Sequence, residues 1–135
     1  MKNNYSNIFI FNKKTLKKVI NNLDNNHVAG LPTETVYGLG GNAYKKKSIE
    51  KIFNLKKRPN FNPLIIHYYD LKLAMNDIVI NDNFIKLYKH FCPGPITFIL
   101  NRKYNSKINH IACAKLKTIA IRLPKHRIIR SILKE

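Results

Sequence analysis

The stretch Thr118-Ile119-Ala120-Ile121-Arg122-Leu123-Pro124 sets the reading of the whole chain. Ile119, Ile121 and Leu123 alternate with Thr118, Ala120 and Arg122, the period of two that marks a strand with one face in a core. Pro124 ends it, because proline has no N–H to give to a ladder. Arg122 therefore stands on the same face as a hydroxyl and a small residue, which suits a guanidinium clamping a carboxylate or a phosphate. An edge strand with a solvated face would show the same parity.

Working outward, further strands are read at Val28 to Leu31, Leu64 to Tyr68 and Ile96 to Leu100. Between them lie segments of helical period. Asn12 caps a helix over Lys13 to Leu23, with Leu16, Val19, Ile20 and Leu23 as its apolar stripe. A second helix is expected from Ser48, with Ile49, Ile52 and Phe53 inward, ending before Pro59. A third runs from Asp82 to Phe91, with Phe84, Leu87, Tyr88 and Phe91 on one face, and Pro93-Gly94-Pro95 breaks it. The last starts near His126. Helices alternating with strands predict an α/β (α+β) protein built on a twisted mixed sheet with flanking helices.

At 135 residues, without a repeat or a Gly/Ser-rich linker, the chain reads as one domain over residues 1–135. Hydrophobic residues at 44% and charged residues at 24% exclude a disordered composition. No apolar run approaches the roughly 20 residues of a membrane span, and no signal-peptide core is present, so the expected location is cytoplasmic, away from membranes. Two cysteines, Cys92 and Cys113, exclude a disulfide framework, and the five histidines have no metal-ligand spacing. Twenty-five Lys and Arg against seven acids give a net charge of +18. That balance attracts polyanions, whether nucleotides or RNA. A lysine-rich, Asn- and Ile-rich composition of the kind an A+T-biased coding sequence produces explains the same excess.

Three further segments bear on chemistry. In Pro32-Thr33-Glu34-Thr35-Val36-Tyr37-Gly38-Leu39-Gly40-Gly41, an extended chain would put the hydroxyls of Thr33, Thr35 and Tyr37 on one side. The glycines lack the pattern of a dinucleotide or P-loop fingerprint. In Lys56-Lys57-Arg58-Pro59-Asn60-Phe61-Asn62-Pro63, Pro59 disfavours helical geometry at Arg58, so the side chains of Lys56 and Arg58 are expected to point together, as suits a triphosphate. Lysines complementing a helix C-terminus are the alternative. His67 falls on the strand face opposite Leu64 and Ile66. No nucleophile–base pair and no carboxylate dyad is visible, which leaves positioning and electrostatic stabilisation as the available catalysis.

Together, Pro32-Thr-Glu-Thr-Val-Tyr-Gly-Leu39, Lys56-x-Arg58-Pro59 with Asn62-Pro63-Leu64, Pro93-Gly94-Pro95-Ile96-Thr97, and Ala120-Ile121-Arg122-Leu123-Pro124-x-His126 resemble the YrdC/TsaC-like family of threonylcarbamoyl-AMP synthases. The resemblance implies a YrdC-like sheet with a positively charged cavity. It also implies an enzyme condensing L-threonine, bicarbonate and ATP to L-threonylcarbamoyl-adenylate and pyrophosphate. The product feeds the threonylcarbamoyl (t6A) modification of tRNAs that read codons beginning with A, through partner proteins that accept it. By motif position, Thr35, His67 and Arg122 are implied as L-threonine contacts. Lys56, Arg58, Asn62 and Thr118 are implied as ATP contacts, with Lys56 and Arg58 the catalytic cations. Mg2+ is implied as a companion of ATP, with no protein metal site.

The family pattern continues past the last helix into a strand and a Ser-x-Asn segment that this sequence, ending at Glu135, does not contain; a C-terminally truncated domain is the expectation. The competing class is an RNA-binding module of the same fold, double-stranded RNA included, without catalytic activity.

Overall fold

β-Branched and aromatic residues at alternate positions build the centre of the molecule, and helices cover it. The computed structural model describes residues 7–135. Its elements run α1 (Lys13–Asp24), β1 (Ala29–Pro32), β2 (Tyr37–Gly40), α2 (Lys46–Lys56), β3 (Ile65–His67), α3 (Leu71–Ala74), α4 (Asp82–Phe91), β4 (Phe98–Asn101), β5 (Thr118–Arg122) and α5 (Arg127–Lys134).

Strand β5 is central. It pairs in parallel with β3, Ile65 opposite Ala120 and His67 opposite Arg122. On its other side it pairs antiparallel with β4, Ile99 opposite Ala120 and Asn101 opposite Thr118. This is the expected mixed sheet, and the edge-strand alternative for Thr118–Arg122 is excluded. β1 and β2 form a separate antiparallel hairpin.

The alternation holds along β5. Ile119, Ile121 and Leu123 are buried with Ile66, Phe98 and Leu100, and this layer closes against Ile49 and Phe53 of α2, Phe84 of α4, and Ile78, Ile108 and Ala112. Each such side chain contributes about 1.5–3 kcal/mol by leaving water. Beneath the sheet, Asp77 is 2% exposed. It accepts from the Tyr68 hydroxyl at 2.8 Å and from Ser106 Oγ at 2.5 Å. Burial first, and the Asp77 carboxyl second, push the Tyr68 phenol far above its ordinary range.

Helix boundaries follow local chemistry. The Asn12 side chain accepts from Thr15 N–H while Thr15 Oγ1 accepts from Asn12 N–H, a reciprocal cap that starts α1 where the sequence placed it. The stripe of α1 is only half-buried, against α5 and β1. Helix α2 begins at Lys46, two residues before Ser48, and the buried Ser48 hydroxyl accepts from Asn42 N–H. A Cβ at Gly41 would lie 2.5 Å from that hydroxyl, so glycine is required there.

The apolar face of α4 is turned from its expected position. Phe84 is buried with Ile85 and Tyr88 packed beside it, while Leu87 and Phe91 are exposed. The single turn α3, capped by Asp70, was not legible in the periodicity. Among the described residues no helix is long and apolar enough to cross a membrane.

Candidate functional site

Arg122 is the last residue of the central strand, and it is 8% exposed. A buried guanidinium needs an anion, and the connection between β1 and β2 supplies one. Thr33 N–H and Oγ1 both donate to Val36 O, folding residues 33–36 into a tight turn. The extended run expected there is not formed, and Tyr37 is exposed. Thr33 and Thr35 nonetheless meet, their hydroxyls 3.1 Å apart, because the turn brings them together.

The turn delivers Glu34 to Arg122. Oε1 of Glu34 accepts from Arg122 Nη2 at 2.8 Å and from Nε at 3.2 Å. Oε2 accepts from the backbone N–H groups of Lys125 and His126, immediately before α5. Thr35 Oγ1 accepts from Arg122 Nη2 at 3.3 Å. Burial alone would raise the Glu34 carboxyl, but backbone hydrogen bonds and Arg122 together hold it below the usual carboxylate range.

His67 lies beside Arg122 through the parallel register. Its Nδ1 is 3.2 Å from Ile65 O. A carbonyl only accepts, so Nδ1 carries the proton. Burial pushes the ring below the usual histidine range, and the Arg122 charge adds to that shift. The neutral ring thus presents Nε2 as a bare acceptor, and Nε2 is buried with no hydrogen-bond partner among the described residues. Thr35, His67 and Arg122, three of the residues picked out in the sequence, form one group.

Of the others, Arg58 and Asn62 bond to each other in the loop before β3 and Thr118 opens β5, so chain order puts them towards the N-terminal end of the same parallel pair. Lys56 is the last residue of α2, and Lys57 turns left-handed with φ 48°. The extended geometry expected over Lys56–Arg58 is absent, and Lys56 instead complements the helix C-terminus and is exposed. Arg58 folds back over its own loop: Nε donates to Asn62 O at 3.0 Å, and Nη2 donates to Asn62 Oδ1 and Pro63 O, both at 2.7 Å. This loop leads into β3, whose first residue, Ile65, pairs with Ala120, two residues after Thr118. Thr118 and Arg122 share a face, separated by four residues of strand, about 13 Å. A groove of about 570 Å³, bordered by Phe53, Asn60, Phe61 and Lys115, adjoins the Arg58 loop.

Glu34 was not singled out in the sequence. The available signal was a carboxylate inside a threonine-rich turn of a chain with only seven acids. Among the described residues no three His, Cys, Asp or Glu side chains cluster to hold a metal.

The Sua5/YciO/YrdC family model, described as telomere recombination, matches residues 21–135. A threonylcarbamoyl-AMP synthase of Bacillus subtilis is 38% identical over 115 residues, which is 84% of this chain and 33% of that protein. The enzyme of that name from Pyrococcus abyssi is 36% identical over 109 residues, 78% of this chain and 31% of its own length. The chain thus spans about a third of these relatives. Among solved structures, P. abyssi Sua5 complexed with L-threonine matches with a TM-score of 0.87 at 30% identity, covering 93% of this chain and 37% of that one. E. coli YciO shares the fold, with a TM-score of 0.81 at 21% identity, over 91% of this chain and 59% of that one.

Proposed function

The chain belongs to the Sua5/YciO/YrdC family, and from that premise we propose that it carries the substrate-binding face of a threonylcarbamoyl-AMP synthase. The observation that carries this reading is the division of one strand pair into two ends. Arg122, His67 and Thr35 gather at one end. Arg58, Asn62 and Thr118 lie at the other.

At the first end, the Arg122 guanidinium pairs with the carboxylate of L-threonine, charge against charge in a largely dry setting. The bare Nε2 of His67 accepts a hydrogen bond from the amino acid's ammonium or hydroxyl, and Thr35 contributes its hydroxyl. At the second end, Lys56 and Arg58 face the triphosphate of ATP, with Asn62 and Thr118 as neutral contacts. About 13 Å of strand between the ends suits an amino acid joined to a nucleotide.

The chemistry needs no nucleophilic side chain. The threonine amine attacks bicarbonate, water leaves, and a carbamate forms. A carbamate oxygen then attacks the α-phosphorus, and pyrophosphate departs with the electron pair of the broken P–O bond. Each reactant carries an anionic group (carboxylate, bicarbonate or triphosphate), and the positive residues offset the repulsion among these groups while strand geometry holds them in line. Magnesium would arrive on the triphosphate as part of the substrate. The adenylate passes to the proteins that load it onto tRNA.

Pyrophosphate release from ATP that requires both L-threonine and bicarbonate is the test. Release independent of threonine, or none in the presence of all three, rejects the reading.

A further inference from the structure

The guanidinium of Arg122 has more donors than one carboxylate uses. Glu34 Oε1 takes the Nε–Nη2 side edge. Thr35 Oγ1 lies at the remaining Nη2 position. Nη1 has no hydrogen-bond partner among the described residues. Both N–H groups of Nη2 are thus engaged, and the two of Nη1 are left for a second carboxylate, with the Thr35 hydroxyl beside them.

Glu34 also reaches beyond Arg122. Its second oxygen accepts from the N–H groups of Lys125 and His126. One carboxylate therefore ties together three pieces of chain that are distant in sequence: the β1–β2 turn, the end of the central strand and the start of α5. These pieces are the ones that aim Arg122 and Thr35. With Glu34 in place, the guanidinium has a fixed plane and a fixed direction for its free Nη1. Without it, a long, rotamer-rich side chain must be ordered by the ligand itself.

We infer that Glu34 is a positioning residue for L-threonine recognition, orienting Arg122 so that its free Nη1 meets the substrate carboxylate. The inference rests on the reading of Arg122 as the threonine contact. Glu34 touches neither threonine nor ATP. It acts through Arg122 and leaves the Arg58 end of the strand pair undisturbed.

The test is isothermal titration of L-threonine, and separately of ATP, into the wild type, Glu34→Gln and Glu34→Asp, with a thermal melt of each. Glutamine keeps the size and loses the charge. It is expected to weaken threonine binding about tenfold to a hundredfold, the range for losing a charge-assisted hydrogen bond, with ATP affinity unchanged. Aspartate keeps the charge but is one methylene short of spanning Arg122 and α5, so its threonine affinity falls between the two.

Wild-type threonine affinity retained in Glu34→Gln overturns the inference and leaves the reading of Arg122 intact. Parallel loss of threonine and ATP affinity with a lowered melting temperature overturns it as well, since the tie is then merely structural. A wild type that binds ATP but no threonine removes the reading of Arg122 and the inference with it. Should Glu34→Gln fail to fold, the aspartate variant decides, by a loss confined to threonine or shared with ATP.

Discussion

His67 and Arg122 stand side by side across the parallel pair of β3 and β5, one neutral and one charged, with the Glu34 carboxylate paired to the guanidinium. A proton added to His67 would place a second positive charge next to Arg122 in a dry setting. Burial first, and Arg122 after it, therefore hold the ring below its usual range.

This makes stability depend on pH with a definite sign. A histidine whose folded pKa is depressed binds fewer protons in the folded than in the unfolded state. Stability is then full above the ordinary value of 6.5 and falls as pH drops from there towards the lower folded value. Glu34, also depressed, adds a second loss that begins below its ordinary value of 4.5. Melting temperature followed from pH 8 to about 2 should show both losses, and His67→Asn should erase the first while keeping the second. An unchanged acid profile in His67→Asn contradicts the assignment of a neutral, buried ring.

Ile121 has no exposed surface at the middle of the central strand and faces the core shared by both neighbouring strands. Ile121→Ala leaves a cavity that rigid strand pairing cannot close, with an expected cost of about 2–5 kcal/mol in urea unfolding. The same change at Ile99, 73% exposed on β4, should cost far less. Comparable losses at the two positions would contradict the assigned sheet faces.

The buried carboxylate of Asp77 offers a sharper contrast. Tyr68→Phe removes one donor and leaves Ser106 on the other oxygen, so the expected loss is about 1 kcal/mol. Asp77→Ala strands both hydroxyls and opens a void, and should cost about 3 kcal/mol. Equal losses in the two variants, read from chemical denaturation, would show that the tyrosine hydroxyl supplies most of the anchoring.

The strands and the three longer helices were legible because each carries one dominant period and a chemical stop. Asn12, Pro59 and Pro124 mark ends that no neighbour overrides. Misreadings arose where a side chain changed jobs. Read from sequence, α2 starts at Ser48, but the helix begins at Lys46 and the Ser48 hydroxyl is the acceptor for Asn42 N–H. Leu87 and Phe91 fit the α4 stripe, yet the sheet reaches only the Phe84–Tyr88 side. In the site, parity located Arg122 and His67, because strands hold parity. It failed at Thr33–Val36 and at Lys56–Arg58, where turn hydrogen bonds and a left-handed residue replace the extended chain. Glu34 stayed hidden because its partners lie some ninety residues away in sequence.

Arg58 carries the last prediction, because its loop geometry and its proposed role toward ATP can be separated. Its Nε and Nη2 are committed to Asn62 and Pro63, which closes the loop that leads into β3. Arg58→Ala removes both the closure and the charge, and should weaken ATP binding about tenfold to a hundredfold. Asn62→Ala deletes only one acceptor and leaves two backbone carbonyls holding the guanidinium, so its loss should be several times smaller. Arg58→Lys keeps a charge but not the fork that spans three acceptors, and should rank between them. Titration of ATP into the three variants checks the order. Because Arg122 lies at the other end of the strand pair, threonine affinity should be unaffected in all three. Loss of threonine binding in Arg58→Ala would mean that the loop supports the whole face, and the separation of the two ends would fail.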